Sequence, residues 1–272
     1  PMDVLADEVD APSLHAEEPC RSYPAYRTRP DPSAVERAAG LLLQARQPVI
    51  VAGGGVVTSG AWAELTALAE ALGAPVGTSI CGKGAIAEDH PLSLGVVGDN
   101  GARPYANALL RAADLILYVG CKTDSVTTEG WELPPLTTDQ TILHLDVDPT
   151  EIGRNYPTAV GLVGDARLGL ADLLAAVRAR RIQPRSNPLA ALANEISTFW
   201  ADFEARAAAT TAPIKPQRVI QTLARLLPAD SIVIADAGTP TPFTAAYLRS
   251  PAGRRVITVS YTHLTLPTIY SV

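Results

Sequence analysis

The stretch Ile142–Pro157, ILHLDVDPTEIGRNYP, decides how the rest of the chain is read. Its opening is an apolar run of the kind that makes a buried strand. It ends abruptly in Asp146 and Asp148, followed by Pro149 and a short helical start. Open α/β sheets bind ligands at the carboxyl ends of their strands, so Asp146 is a candidate partner for a ribose hydroxyl or a polar nucleotide edge.

Outward from this run the same pattern recurs. Short apolar segments at 48–52 (PVIVA), 75–79 (PVGTS), 115–119 (LILYV), 141–147 (TILHLDV) and 159–163 (AVGLV) alternate with helical stretches at 61–72, 104–112 and 166–180. The strands are continuously apolar rather than alternating, which points to a parallel sheet covered on both faces. A first helix starts at Pro32 behind Asp31 as a cap, with Val35, Ala38, Ala39, Leu42 and Leu43 on one face. The expected fold is α/β: a doubly wound parallel six-stranded sheet over residues 32–182, plus a truncated second α/β unit.

The flanks read differently. Residues 6–31 are rich in proline and charge and read as a linker. Residues 183–213 form a second linker, with Phe199, Trp200 and Phe203 on a connecting helix. The second unit, 214–259, holds a helix bearing Val219, Ile220, Leu223, Leu226 and Leu227, then the strand SIVIAD, the turn AGTPTP, a helix to Leu248 and a strand at 255–259. Two helices and two strands are too few to cover a sheet on both faces, so the unit reads as the start of a larger domain. The run VSYTHLTLPT, Val259–Thr268, looks like a translated sequencing-library adapter, so residues 260–272 are read as a non-native tail and left out of the fold.

The totals narrow the function classes. The 272 residues are 47% hydrophobic and 18% charged, a globular composition, and the net charge of -6 argues against a nucleic-acid partner. Arg178, Arg180 and Arg181 form the only basic cluster, at a helix end. Cys20, Cys81 and Cys121 are odd in number, far apart and without metal-ligand spacing, which favours reduced thiols and a cytoplasmic setting. No run has the length and apolarity of a membrane span.

The strand ends carry the chemistry. Gly53, Gly54 and Gly55 follow the first strand; they make either a tight βα turn or a backbone approach to a phosphate or ribose. Gly98 and Gly101, around Asp99 and Asn100 and ahead of the helix at Pro104, either aim amide groups at a pyrophosphate or simply make a helix-leading loop. Gly120, Lys122 and Asp124 follow the third run, where Lys122 is either a solvated cation or a phosphate partner. Asp146 and the pair Asp165–Ala166 complete the set. His90, before Pro91, reads as a turn histidine. Asp236–Thr239 reads by itself as a capped strand-to-helix turn.

Four stretches resemble the acetolactate synthase family of thiamine diphosphate enzymes: the HxDxDPxEIG pattern of His144–Gly153, GKGAIAEDHPLSLGVVG (Gly82–Gly98), ADAGTPTPF (Ala235–Phe243), and the opening PMDV, similar to the end of that family's pyrimidine-binding domain, here residues 1–5. The resemblance implies that 32–182 is a middle domain able to cradle flavin adenine dinucleotide (FAD) or another adenine nucleotide. By motif, the contacts fall on Gly53, Gly54, Gly55, Gly98, Gly101, Gly120, Lys122, Asp124, Asp146, Asp165 and Ala166. Two positions depart from the flavin-binding pattern. Lys122 replaces an arginine, losing its planar stacking, and Asp99 and Asn100 stand where a histidine is usual.

The resemblance further implies a thiamine diphosphate and Mg2+ enzyme that decarboxylates pyruvate or a related 2-oxo acid and transfers the two-carbon unit, as in branched-chain amino acid biosynthesis. Gly238 and Thr239 would approach the diphosphate. By the resemblance, the family's activating glutamate is expected ahead of Pro1 and its magnesium-binding Gly-Asp-Gly motif after Val259, so the 272 residues are expected to be inactive alone and the parent to be a homodimer or homotetramer. A sulfoacetaldehyde acetyltransferase, a benzoylformate decarboxylase-type enzyme and a non-catalytic adenine-nucleotide-binding module are the competing readings.

Overall fold

The computed structural model describes residues 17–258, apart from 22–23, 138, 181–184, 229, 252 and 254–255. The expected domain end at 1–5, the first part of the 6–31 linker, Arg181 and the tail at 260–272 lie outside the described residues.

Helix α1 (Pro32–Gln44) starts where proline pre-sets the first turn and the Asp31 carboxylate accepts the Ala34 amide at 3.0 Å. Strand β1 (Pro48–Ala52) turns at Gly53 into the short α2 (Gly54–Ser59), and α3 (Trp62–Leu72) follows. Gly60 and Gly73, both left-handed, end these two helices. Then come β2 (Val76–Thr78), β3 (Ser93–Val96), α4 (Pro104–Ala112), β4 (Leu115–Val119), β5 (Thr141–Asp146), β6 (Val160–Val163) and α5 (Ala166–Arg178).

The sheet is six-stranded and wholly parallel, in the order β3-β2-β1-β4-β5-β6. This is the doubly wound order, and its reversal falls between β1 and β4. Alternate residues of the central strands β1, β4 and β5 feed two cores. Leu117, Val119, Leu143 and Leu145 meet Leu42, Leu65, Leu68, Leu170 and Leu173 of α1, α3 and α5 on one face. Val49, Val51, Ile116, Tyr118 and Ile142 meet Tyr105 and Leu110 of α4, with Leu133, Tyr156 and Leu189, on the other.

Three local features differ from the sequence reading. The sixth strand, β3, lies inside Gly82–Gly98, where a four-residue strand containing Gly95 gives little apolar signal. After Asp148 the chain makes turns rather than a helical start: the Asp148 carboxylate takes the Thr150 amide and hydroxyl, and Gly153 sits at φ +74°. The visible end of the first linker is bound to the sheet, because Thr28 O accepts the Asp165 amide and Pro30 lies against Gly164.

Beyond the sheet, α6 (Ala193–Ala208) packs on α7 (Pro216–Leu226), and α8 (Pro240–Tyr247) packs on α7 as well. Strands β7 (Val233–Ala235) and β8 (Val256–Thr258) form a separate parallel pair. Phe199, Trp200 and Phe203 of α6 stack edge-to-face along the helix, and Phe199 and Phe203 stack on Tyr247 of α8. Ile232, Ile234, Ile257 and Leu226, on these elements and the segment before β7, are exposed among the described residues. Among the described residues no helix is long and apolar enough to cross a membrane.

Candidate nucleotide crevice

Because all six strands run the same way, their carboxyl ends open on one side of the sheet. At the switch point β1 delivers Gly53–Gly55, and β4 delivers Gly120 beside them: Gly53 N donates to Val119 O at 2.8 Å and Gly55 N to Gly120 O at 3.0 Å. Gly120 is left-handed at φ +54°. A Cβ on Gly53 would fall 2.1 Å from Gly120 O, so the glycines at 53 and 120 are demanded by backbone contact as well as by any ligand.

Strand β5 ends at Asp146. The side chain is buried, and one oxygen accepts the Asp148 amide at 2.9 Å. His144, two residues earlier on the same strand face, puts Nε2 2.9 Å from Cys121 O and 3.9 Å from the other Asp146 oxygen. Burial lowers the His144 imidazole below its ordinary range, against the opposing pull of Asp146. A neutral ring donating from Nε2 to the Cys121 carbonyl accounts for both facts.

Strand β6 leads to Gly164, Asp165 and Ala166. The Asp165 carboxylate caps α5 by accepting the amides of Arg167 and Leu168, both at 3.1 Å. It also accepts the Ser59 hydroxyl at 2.7 Å and the Arg27 guanidinium at 2.8 and 2.9 Å. Burial alone would raise this carboxyl, but Ser59, Arg27 and the helix amides hold it below the ordinary carboxylate range. Asp165 is therefore saturated within the protein.

Gly55, Gly120, Asp146, Asp165 and Ala166 line one cavity of about 80 Å³, with Thr58, Ser59, Val147 and Gly164, and Pro24 and Tyr26 at its mouth. That volume suits a small polar group, such as one edge of a sugar; it is well below the roughly 300–1,000 Å³ of a pocket that encloses a whole cofactor. Residues Gly98, Gly101, Lys122 and Asp124 do not line it. Gly98, at φ +78°, packs on the carbonyls of Val126 and Thr127, and a Cβ at Gly101 would fall 1.8 Å from Val96 O. The Asp124 carboxylate folds its own loop by accepting the amides of Val126 and Thr127. Lys122 is exposed, and its charge contributes, after the Thr150 hydrogen bonds, to lowering the Asp148 carboxyl.

Gly238 and Thr239 sit elsewhere, ahead of α8. Gly238 is at φ +98° with nothing within 4 Å of where a Cβ would be, so its backbone faces open space. Asp236 orders the turn, its carboxylate accepting the Ala237 amide at 2.7 Å and its carbonyl the Thr241 hydroxyl at 2.7 Å. His90 makes a local contact, accepting the Leu92 amide at Nδ1, with Nε2 3.2 Å from Glu70. Among the described residues no three His, Cys, Asp or Glu side chains are placed to hold a metal ion.

Ser59 and Arg27 went unread in the sequence. Ser59 ends the short helix after the triple glycine, a position the strand-end pattern reaches. Arg27 gives no local signal, being 138 residues from Asp165. A group of buried side chains, those of Lys83, Glu88 and Arg103, is the other feature the sequence reading passed over.

A parallel sheet in this order, with glycines and carboxylates gathered at its switch point, defines a doubly wound α/β domain. Residues 35–173 match the family described as "Thiamine pyrophosphate enzyme, central domain", and the chain belongs to that family. It is 34% identical over 266 residues to the probable acetolactate synthase large subunit of Methanocaldococcus jannaschii, covering 93% of this chain and 43% of that protein. The acetolactate synthase isozyme 3 large subunit of Escherichia coli K12 is 34% identical over 230 residues, 82% of this chain and 38% of its own length. The glyoxylate carboligase of Escherichia coli O157:H7 is 32% identical over 245 residues, 88% and 39% respectively. The chain thus spans less than half the length of these curated relatives.

Proposed function

We propose that this chain is the middle domain, and the opening of the thiamine diphosphate-binding domain, of a 2-oxo acid carboligase or lyase of acetolactate synthase type. The observation that carries the reading is the continuity of the likeness: similarity to the Methanocaldococcus jannaschii relative covers 93% of the chain and so extends well past the central domain on the carboxyl side. The name glyoxylate carboligase on one relative supports the reaction class while leaving the 2-oxo acid and its acceptor open.

Bound thiamine diphosphate, with Mg2+, would supply the carbanion chemistry of decarboxylation and two-carbon transfer. This chain's part is to bind and position. The open backbone at Gly238 and the adjoining Thr239 amide are suited to approach a diphosphate. In the crevice, the Asp146 oxygen not taken by Asp148 N is the acceptor for a ribose hydroxyl, with Gly55 and Gly120 lining the same cavity and Gly53 and Gly54 offered as backbone contacts beside it. Gly98, Gly101, Lys122 and Asp124 extend the proposed contacts beyond the small cavity, with Asp165 and Ala166 closing its far side. The donor set suits an adenine nucleotide. Lys122 lacks the flat guanidinium that would lie along a flavin ring, which favours a non-flavin nucleotide over FAD. The parent enzyme is a cytoplasmic homodimer or homotetramer in this reading, and the 272 residues alone turn over nothing.

Titrating the chain with adenosine diphosphate and with FAD by calorimetry tests the crevice. Asp146→Ala is expected to weaken nucleotide binding at least about tenfold, the loss of roughly one charged hydrogen bond. Equal affinity of the variant and the original chain would remove Asp146 from the site.

A further inference from the structure

A buried polar group with several charged hydrogen bonds lies outside the crevice. Lys83 and Glu88, on the loop between β2 and β3, and Arg103, just ahead of α4, have side chains 0%, 2% and 3% exposed. Glu88 Oε1 is paired with Lys83 Nζ, and Glu88 Oε2 with Arg103 Nη2 at 2.6 Å. Two cations on one carboxylate leave an excess of buried positive charge, and the structure shows where it is spent. Lys83 Nζ donates to Ala245 O at 3.1 Å, and Arg103 donates to Ala246 O from Nε at 3.1 Å and Nη2 at 2.8 Å. Those carbonyls belong to the last turn of α8, where a helix has unpaired acceptors and the negative end of its dipole.

The surrounding backbone reinforces the joint. Glu88 N donates to Ser250 O at 2.9 Å, and Gly253 N to Gly84 O at 3.0 Å. Arg103 Nη1 donates to Leu94 O at 3.2 Å. Gly95 stands where any Cβ would lie 1.6 Å from Arg103 Nη1, so the strand is hollowed to admit the guanidinium. The opposite end of α8 begins at Pro240, directly after Gly238 and Thr239.

From this placement we infer that Lys83, Glu88 and Arg103 are positioning residues that fix α8, and through it the Asp236–Thr239 turn, in one orientation against the middle sheet. Apolar packing alone is non-directional and tolerates sliding. Charged donors on two named carbonyls do not. A buried ion cluster is a poor source of net stability compared with a well-packed apolar replacement, so its use here is geometric. The importance of that geometry for the reaction rests on the proposed role of Gly238 and Thr239; the joint itself does not.

The test separates position from stability. The apolar triple variant Lys83→Met, Glu88→Leu, Arg103→Met and the single variant Glu88→Gln are compared with the unaltered chain by thermal melting and by hydrogen–deuterium exchange over residues 236–248. The triple variant is expected to melt at or above the original temperature while exchange in 236–248 rises at least about tenfold and that of β4 and β5 stays unchanged. If the triple variant does not fold, Glu88→Gln decides: a rise confined to 236–248 supports the joint. Unchanged exchange there, or an equal rise throughout the sheet, overturns it. No cofactor is needed for this measurement. The diphosphate reading fails separately, if Gly238→Val leaves thiamine diphosphate affinity of the parent enzyme unaltered.

Discussion

Gly55 and Gly120 touch backbone to backbone across the sheet's switch point: a Cβ on Gly120 would lie 2.6 Å from Gly55 Cα, and one on Gly55 2.7 Å from Gly120 Cα. The contact locks the turn after β1 to the end of β4, and it shapes the floor of the crevice.

Gly120→Ala therefore carries two penalties, a left-handed φ of +54° and a backbone clash. Strain and overpacking of this kind together cost about 2–5 kcal/mol. Urea unfolding should show that loss; a change below about 0.5 kcal/mol, typical of an unconstrained surface site, would mean that the two turns separate freely.

The Asp165 carboxyl, held below its ordinary 3.8, gives a pH dependence with a definite sign. Its contribution to stability is present above that value and is lost as pH falls through the lower folded value. Asp165→Asn keeps a helix cap and an acceptor for Ser59 but loses the ion pair to Arg27. At pH 7 the variant should be about 1–3 kcal/mol less stable, and the gap should narrow below pH about 4 as the original chain takes up its proton. A gap that stays constant down to pH about 3 would contradict the assignment.

Tyr118 lies between His144 and a stacked Tyr156, and its hydroxyl is buried without a hydrogen-bond partner. Tyr118→Phe removes a desolvated oxygen and keeps the ring. It should leave stability unchanged or raise it by about 1 kcal/mol, whereas a loss above about 1 kcal/mol would reveal an acceptor for that hydroxyl.

The three cysteines should divide two to one. Cys20 and Cys81 are exposed, whereas Cys121 is buried and its thiol is pushed up to about 12 by burial. At pH 8 such a thiol is roughly one part in ten thousand thiolate. A thiol-specific chromogenic reagent should titrate two groups in the folded chain and a third only after denaturation. Rapid reaction of all three would place Cys121 at the surface.

Much of this architecture was legible because it rests on local chemistry. Runs such as PVIVA and LILYV are apolar at every position, and only a strand buried on both faces requires that; both span β1 and β4 residue for residue. Asp31 announces its helix as a cap, whereas Asp165, read as a ligand contact, caps the helix that follows it. What escaped depends on distance or on weak signal. Strand β3 is short and interrupted by Gly95, and the Arg27–Asp165 pair joins residues that no spacing rule connects. Lys83, Glu88 and Arg103 look like ordinary surface charges in sequence, and only α8 folding back over them shows that their side chains are buried. Among the candidate site residues, Gly55, Gly120, Asp146, Asp165 and Ala166 line the cavity, whereas Gly53 and Gly54 do not, and Gly98, Gly101, Lys122 and Asp124 lie on loops whose path the pattern does not specify.

The most direct test of the central claim is an assay of pyruvate consumption with thiamine diphosphate and Mg2+, run on the parent protein that carries this chain with its neighbouring domains and, in parallel, on the 272 residues alone. The account predicts cofactor-dependent loss of pyruvate or a related 2-oxo acid by the parent, with formation of a carboligation or decarboxylation product, and none by the chain alone. Turnover by the isolated chain, or a parent that binds thiamine diphosphate yet leaves every 2-oxo acid intact, would contradict it.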